Sequence, residues 1–422
     1  MPTAFPPRSK PLLGLALALA ASLTASAGNT WPQWRGPTRD GTVGSSPPWP
    51  SQLDEKTLQR RWHIPLGPGY SGPLITRDHV FVTEAKDQAF EAAIAVDRAT
   101  GQEVWRHQWE GYVKVPFFAK SNGDWIRSTP ALANGRLYVG GMRDVVICLE
   151  AATGKELWRF DFPKDLQKPL PDFGLVSSPL VAGDALYVQA GAGFAKLQAE
   201  SGKLLWRTLD DGGGMWGSAF SSPILATMAG KEQLIVQTRD KLAAVQPSDG
   251  KVLWEQTIKS FRGMNILTPV SLADQILTSS YGGQTQGWTV SLHGDTWKIQ
   301  PEWNLKLEAY MSTPVVHRGH AFLHTRSQHL ACVDLATGTK RWQSEQKFGK
   351  YLSLVLQGNQ ILALDERGIL LLFPADPDRF AQTAERRVSD SETWAHLAVA
   401  DTDLAIRDIK GLAVWSWISE SR

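Results

Sequence analysis

Short apolar runs separated by turn residues recur along most of the chain from about residue 58 onward. In "STPALANGRLYVGGMRDVVICLEAATGKELWRF" (128–160) the runs are broken by Asn-Gly, Met-Arg-Asp and Thr-Gly, the punctuation of antiparallel strands joined by tight turns. Four strands fit this stretch. Turn signals arrive every ~8–12 residues and helical periodicity is missing, so the pattern argues against an α-solenoid or a series of βαβ units.

The unit repeats. Gly followed four residues later by Trp occurs at Gly101 and Trp105, Gly154 and Trp158, Gly202 and Trp206, Gly250 and Trp254, and Gly338 and Trp342. Trp62 and Trp303 extend the Trp series, whose intervals run from 39 to 53 residues, the range of a repeat architecture. A second column marks the start of each unit: Pro73, Pro130, Pro179, Pro223, Pro269, Pro314 and, in two degenerate copies, Leu354 and Leu397. Eight such units predict an all-β fold, an eight-bladed β-propeller of four-stranded antiparallel blades. In each blade the Gly supplies a positive φ between the third and fourth strands, and the Trp offers a flat surface to the neighbouring blade. A phosphate-binding role for the same turns would need a following helix, and none is signalled. Trp62 precedes the first blade start, whereas the last unit ends in "IKGLAVWSWISESR" without a Gly-x3-Trp strand of its own. The strand at 58–66 is therefore expected to pair with the one around Leu412 to Trp415 and close the ring.

The repeated string Ala-x-Asp-x-x-Thr-Gly-x-x-x-Trp, written here as "AVDRATGQEVW" or with Cys332 first as "CVDLATGTKRW", resembles the tryptophan-docking repeat of pyrroloquinoline-quinone-type (PQQ-like) propellers. The resemblance covers about residues 55–420. That family includes quinoprotein alcohol dehydrogenases and the propeller lipoprotein of the outer-membrane β-barrel assembly machinery. The opening "TWPQWRGPTRDG" (30–41) is also similar to the mature N-termini of secreted PQQ-like proteins. The resemblance implies the fold more strongly than an activity, because one scaffold hosts many functions. Quinoprotein dehydrogenases carry adjacent cysteines near the quinone, a calcium held by acidic and amide side chains, and an Asp base. This chain has two cysteines, Cys148 and Cys332, far apart in sequence and without a Cys-x-x-Cys-His motif. No catalytic residue, PQQ, calcium or other metal is assigned. The expected role is a non-catalytic binding or scaffolding module for a protein, peptide or glycan partner of the cell envelope; the alternative is a quinoprotein oxidoreductase.

Composition and the two ends narrow this further. Arg8 and Lys10, an apolar stretch from Leu12 to about Leu23, and Ala25-Ser26-Ala27 read as a secretory signal peptide over 1–27, which directs the chain to the periplasm. The apolar stretch falls short of the ~20 residues of a membrane span, and no later segment approaches that length. No cysteine follows it to carry a lipid. The formal net charge of +2 falls to about zero without residues 1–27, which gives no support to nucleic-acid binding. The remaining chain divides into an extension at 28–57 and the propeller at 58–422.

Three groups of residues are candidates for chemistry or recognition. His317, His320, His324 and His329 lie close in sequence, but only His320 and His324 would share a strand face, so a solvated blade edge is expected rather than a metal site. The position three residues before each blade start reads Tyr70, Arg127, Val176, Phe220, Ile266, Met311, Tyr351 and Trp394, with Trp125, Trp216, Arg262 and Tyr310 nearby. These crossings ring one mouth of the channel. They either plug it or form a binding mouth, since aromatic and Arg residues are favoured at recognition surfaces. Trp31, Trp34, Arg35 and Arg39 are too many for a solvated linker, so the extension is expected to pack back on the ring, at a mouth or at the rim. The register also places Cys148 and Cys332 at one position of opposite blades, the second and the sixth, as free thiols.

Overall fold

The computed structural model describes residues 30–44, 47–217 and 219–418, with the Trp216 side chain left out; the proposed signal peptide at 1–27 lies outside the described residues. Eight four-stranded antiparallel sheets form the ring of an eight-bladed β-propeller. Blade 2 shows the plan: Ala131–Ala133 lines the channel, Arg136–Gly141 and Val145–Glu150 follow, and Glu156–Asp161 forms the rim. Blade-to-blade crossings emerge on one face, called upper here, and the Thr-Gly turns on the other.

One register runs through the blades. Ala131, Tyr138, Cys148 and Trp158 lie side by side in blade 2, and Val315, Phe322, Cys332 and Trp342 do so in blade 6. The two cysteines therefore occupy one structural position; both are buried and unpaired. Burial pushes each thiol up to about 12. Blade 8 draws its members from both ends of the chain. Ala398–Ala400, Asp403–Asp408 and Gly411–Trp417 are joined by Leu58–Pro65, with Trp62 opposite Val414 and Ile64 opposite Leu412.

Trp and Gly meet between blades. Gly154 has a φ of +74°, and a Cβ placed there would come within 2.5 Å of the Trp105 ring. The residue must be Gly for two reasons at once, backbone and ring. Trp105 also donates Nε1–H to the Ala151 carbonyl at 2.9 Å, and Trp62, Trp158, Trp206, Trp303 and Trp342 make the corresponding bond to the next blade. Trp254 is different: blade 5 offers no Gly-x3-Trp turn, and its indole bonds Gln233 Oε1 within its own blade.

Around the channel, the hydroxyl just before the blade-start proline accepts a backbone N–H from the preceding blade. The chain of bonds runs Gly72 to Thr129, Thr129 to Ser178, Ser178 to Ser222, Ser222 to Thr268 and Thr268 to Thr313, at 2.8–3.2 Å. These hydroxyls satisfy buried amides that the short inner strands leave unpaired.

Candidate functional site

The extension enters the channel from the lower face. Trp31 bridges Ile75 of blade 1, Leu132 of blade 2 donates its N–H to the Pro32 carbonyl at 2.7 Å, and Val43 donates to Leu356 of blade 7 at 2.8 Å. From this seat Arg35 reaches the Pro314 carbonyl of blade 6, and Arg39 reaches those of Ser178 and Pro179 of blade 3. The chain then crosses beneath blade 7, where Trp49 bonds Gln357 and the backbone at Leu53 accepts from Arg386. From there it rises into the rim strand of blade 8. Residues 30–43 enter the channel, and Arg35 there lies close to Tyr351 of a crossing.

The crossings gather into two groups rather than one continuous ring. In the first, the Tyr351 and Trp394 rings stack at 6.1 Å, Trp394 lies 5.8 Å from Tyr70, and Tyr70 meets Trp125 edge-on at 5.3 Å. The Arg127 guanidinium sits 5.3 Å over the Tyr70 ring and donates to the Asn122 and Gly123 carbonyls. Burial pushes the Tyr70 hydroxyl up to about 12 and holds Arg127 below its ordinary range.

The second group holds Phe220, Arg262 and Tyr310, together with residues the repeat register did not single out. Arg239 lies 4.6 Å over Phe220, Phe220 packs on Phe173 at 5.6 Å, and Phe173 meets Phe118 at 6.3 Å. Arg239 also donates to the Arg262 carbonyl at 2.8 Å. Arg262 itself covers Phe261, which leads through Tyr281 to Tyr310. The group ends in open side chains: Phe117 is 89% exposed, Phe118 49% and Phe261 51%. These residues lie in crossings rich in Pro, Gly and aromatics ("KVPFFAKSNG", "KSFRG"), the one signal that could have marked them. The side chain of Trp216 lies outside the described residues.

Two carboxyls are buried beneath the same face. Glu91 accepts from Trp109 Nε1 at 2.9 Å and from the Met142 amide of blade 2, and burial pushes it up to about 8. Asp144 accepts from the Gly191 amide of blade 3 at 2.7 Å, and burial pushes it up to about 7. Each links one blade to the next. The histidines form no single cluster, although His317 and His320 face each other across two neighbouring strands. His320 lies 3.7 Å from Asp334, and His329 bonds the Ser344 carbonyl. Contrary to the expected solvated edge, His324 is buried at the channel side, near Ser312, and burial lowers it to about 4. Its strand is the second of the four in blade 6, not an edge strand, and pairs His324 with buried Leu330.

Cys148 and Cys332 each lie beneath a rim Trp, away from the channel. Among the described residues no three His, Cys, Asp or Glu side chains converge on a cation position.

Comparison with known proteins gives a consistent picture. The family model described as outer membrane protein assembly factor BamB matches residues 89–344. The BamB of Shewanella oneidensis is 25% identical over 275 residues, 61% of this chain and 63% of that protein. The BamB of Yersinia pestis is 20% identical over 327 residues, 75% of this chain and 77% of its own. The match spans under two thirds of the Shewanella relative and of the one from Moranella endobia, at 63% and 61%. A quinohemoprotein alcohol dehydrogenase of Pseudomonas putida is 29% identical over 161 residues, 36% of this chain and 22% of the enzyme. Among solved structures, BamB from Moraxella catarrhalis superposes with a TM-score of 0.60 at 14% identity, over 86% of this chain and 99% of that one. The quinohemoprotein alcohol dehydrogenase of Comamonas testosteroni reaches 0.65 at 14% identity, over 92% and 80%. These superpositions speak to the fold alone.

Proposed function

The chain belongs to the outer membrane protein assembly factor BamB family, and from that premise we propose that it acts in the periplasm as a non-catalytic scaffold that binds another envelope protein through its upper face. The exposed aromatic residues of the crossings carry this reading. Phe117, Phe118 and Phe261 stand open to solvent; Phe118 packs on Phe173, which Phe220 and Arg239 back in turn. Aromatic and Arg side chains over a rigid base make the anchors of protein interfaces, and an open apolar cluster on a soluble surface marks such a site. The relatives' role in outer-membrane assembly supports an envelope protein as partner.

The test is a photo-crosslinking amino acid placed at Phe117 and, as a control on the rim, at Leu205. Irradiation of intact cells should give a discrete adduct with an envelope protein from Phe117 and none from Leu205. Adducts of equal yield at both positions, or none at either, would refute the upper-face reading.

A further inference from the structure

Within the channel, residues 33–41 fold into two successive turns closed by Gln33 to Gly36, Gly36 to Arg39 and Arg35 to Gly41 backbone bonds. Arg35 and Arg39 take positive φ, 62° and 60°, a conformation unfavourable to any residue with a Cβ and one that the surroundings must impose. The turns bring both side chains toward one aromatic ring. The guanidiniums of Arg35 and Arg39 lie 5.6 and 5.5 Å from the Trp34 ring centroid.

Both cations are buried, Arg35 at 0% exposure and Arg39 at 3%, and neither meets a carboxylate. Arg35 Nη2 donates to the Asp40 and Pro314 carbonyls. Arg39 donates to the carbonyls of Ser178 and Pro179 and to Gln33 Oε1. Arg35 Nε and Nη1 and Arg39 Nε are buried without a partner. Asp40 is exposed, and its Oδ1 accepts from Thr38 Oγ1 and the Thr42 amide, both at 2.7 Å; its charge acts on Arg35 without forming an ion pair with it. His396, 6.3 Å from Trp34, is kept neutral by burial and by Arg35 beside it, and so adds no third positive charge.

Two buried positive charges with open N–H donors are unfavourable unless an anion joins them. Guanidinium groups bind planar or tetrahedral oxygen anions by charge-assisted hydrogen bonds. We propose that Arg35 and Arg39, beside Trp34, form a binding site in the channel for a small oxyanion, the phosphate or carboxylate group of a free ligand or of a peptide end. The inference concerns the channel and does not depend on the upper-face reading.

Equilibrium urea unfolding of the full chain tests it, because the anion then has free access during refolding. The midpoint is measured against millimolar inorganic phosphate, acetate or a blocked dipeptide with a free carboxylate, with sodium chloride at matched ionic strength as reference. The proposal expects a saturable rise with at least one oxyanion, as binding to the native state alone requires. Phosphate alone points to a free inorganic ligand; the dipeptide exceeding acetate points to a peptide end. R35Q and R39Q should lose that rise at least tenfold in ligand concentration. In chloride, R35Q should unfold below the wild type by the loss of its bonds to the Asp40 and Pro314 carbonyls, and the gap should widen when the oxyanion is present. A purely structural arginine would instead lower the midpoint equally in every buffer. Coincident wild-type midpoints in all four buffers, or an oxyanion response that both variants retain, would overturn the site.

Discussion

At Glu91 the structure places a carboxyl where solvent is absent and gives it one indole and one amide to bond. Its folded value of about 8 stands above the ~4.3 of an exposed Glu. Between those values the folded state keeps a proton that the unfolded chain has lost. Stability is therefore full below the unfolded value and falls as pH rises through the folded one, by about 1.4 kcal/mol per pH unit inside the window. Asp144, pushed up to about 7, adds a slope of the same sign. Glu91→Gln should remove its share. Denaturant midpoints from about pH 5 to about pH 9 should show variant and wild type close at the acid end and the variant more stable at the alkaline end. Parallel profiles would mean that Glu91 is ionised in the folded protein.

At the scale of strands, what the sequence made legible was whatever the repeat repeats. Gly154 and Trp105 stand at fixed register because most blade boundaries pose the same packing problem, the one after Trp254 being an exception, and closure followed from Trp62 lying ahead of the first blade start. The seven residue pairs that join Leu58–Pro65 to Gly411–Trp417 hold the two ends of the chain together. Deleting 28–66 strips the rim strand from blade 8 and the plug from the channel. Thermal unfolding of the truncated protein should shift down by at least about 10 °C or lose its cooperativity, since the loss exceeds a few kcal/mol. Unchanged melting would refute the closure. The crossings were less legible. Tyr70, Arg127 and Trp394 could be placed by counting back from the blade start, but Phe117, Phe118 and Phe261 sit in crossings of unequal length with no fixed register. The seat of the plug was hidden for another reason. Arg35 and Arg39 bond backbone carbonyls 279 and 140 residues away, and a carbonyl leaves no mark in a residue pattern.

For the whole molecule, the two faces differ in what they offer. The lower face is closed at the axis by residues 30–43 and carries the Thr-Gly turns that pack on neighbouring indoles. The upper face carries the open aromatic side chains and the Tyr70, Arg127 and Trp394 cluster. A rigid ring with one apolar, loop-built face suits a scaffold: the strands hold the shape while the loops make contact. The most direct measurement is capture of envelope proteins by purified wild type and by the Phe117→Ser/Phe118→Ser/Phe261→Ser variant, with the melting of each recorded alongside. The proposed function predicts that the variant loses its captured partner at least tenfold while melting within a few degrees of wild type, since these side chains are open in the free protein. Undiminished capture by a variant that folds normally would contradict it.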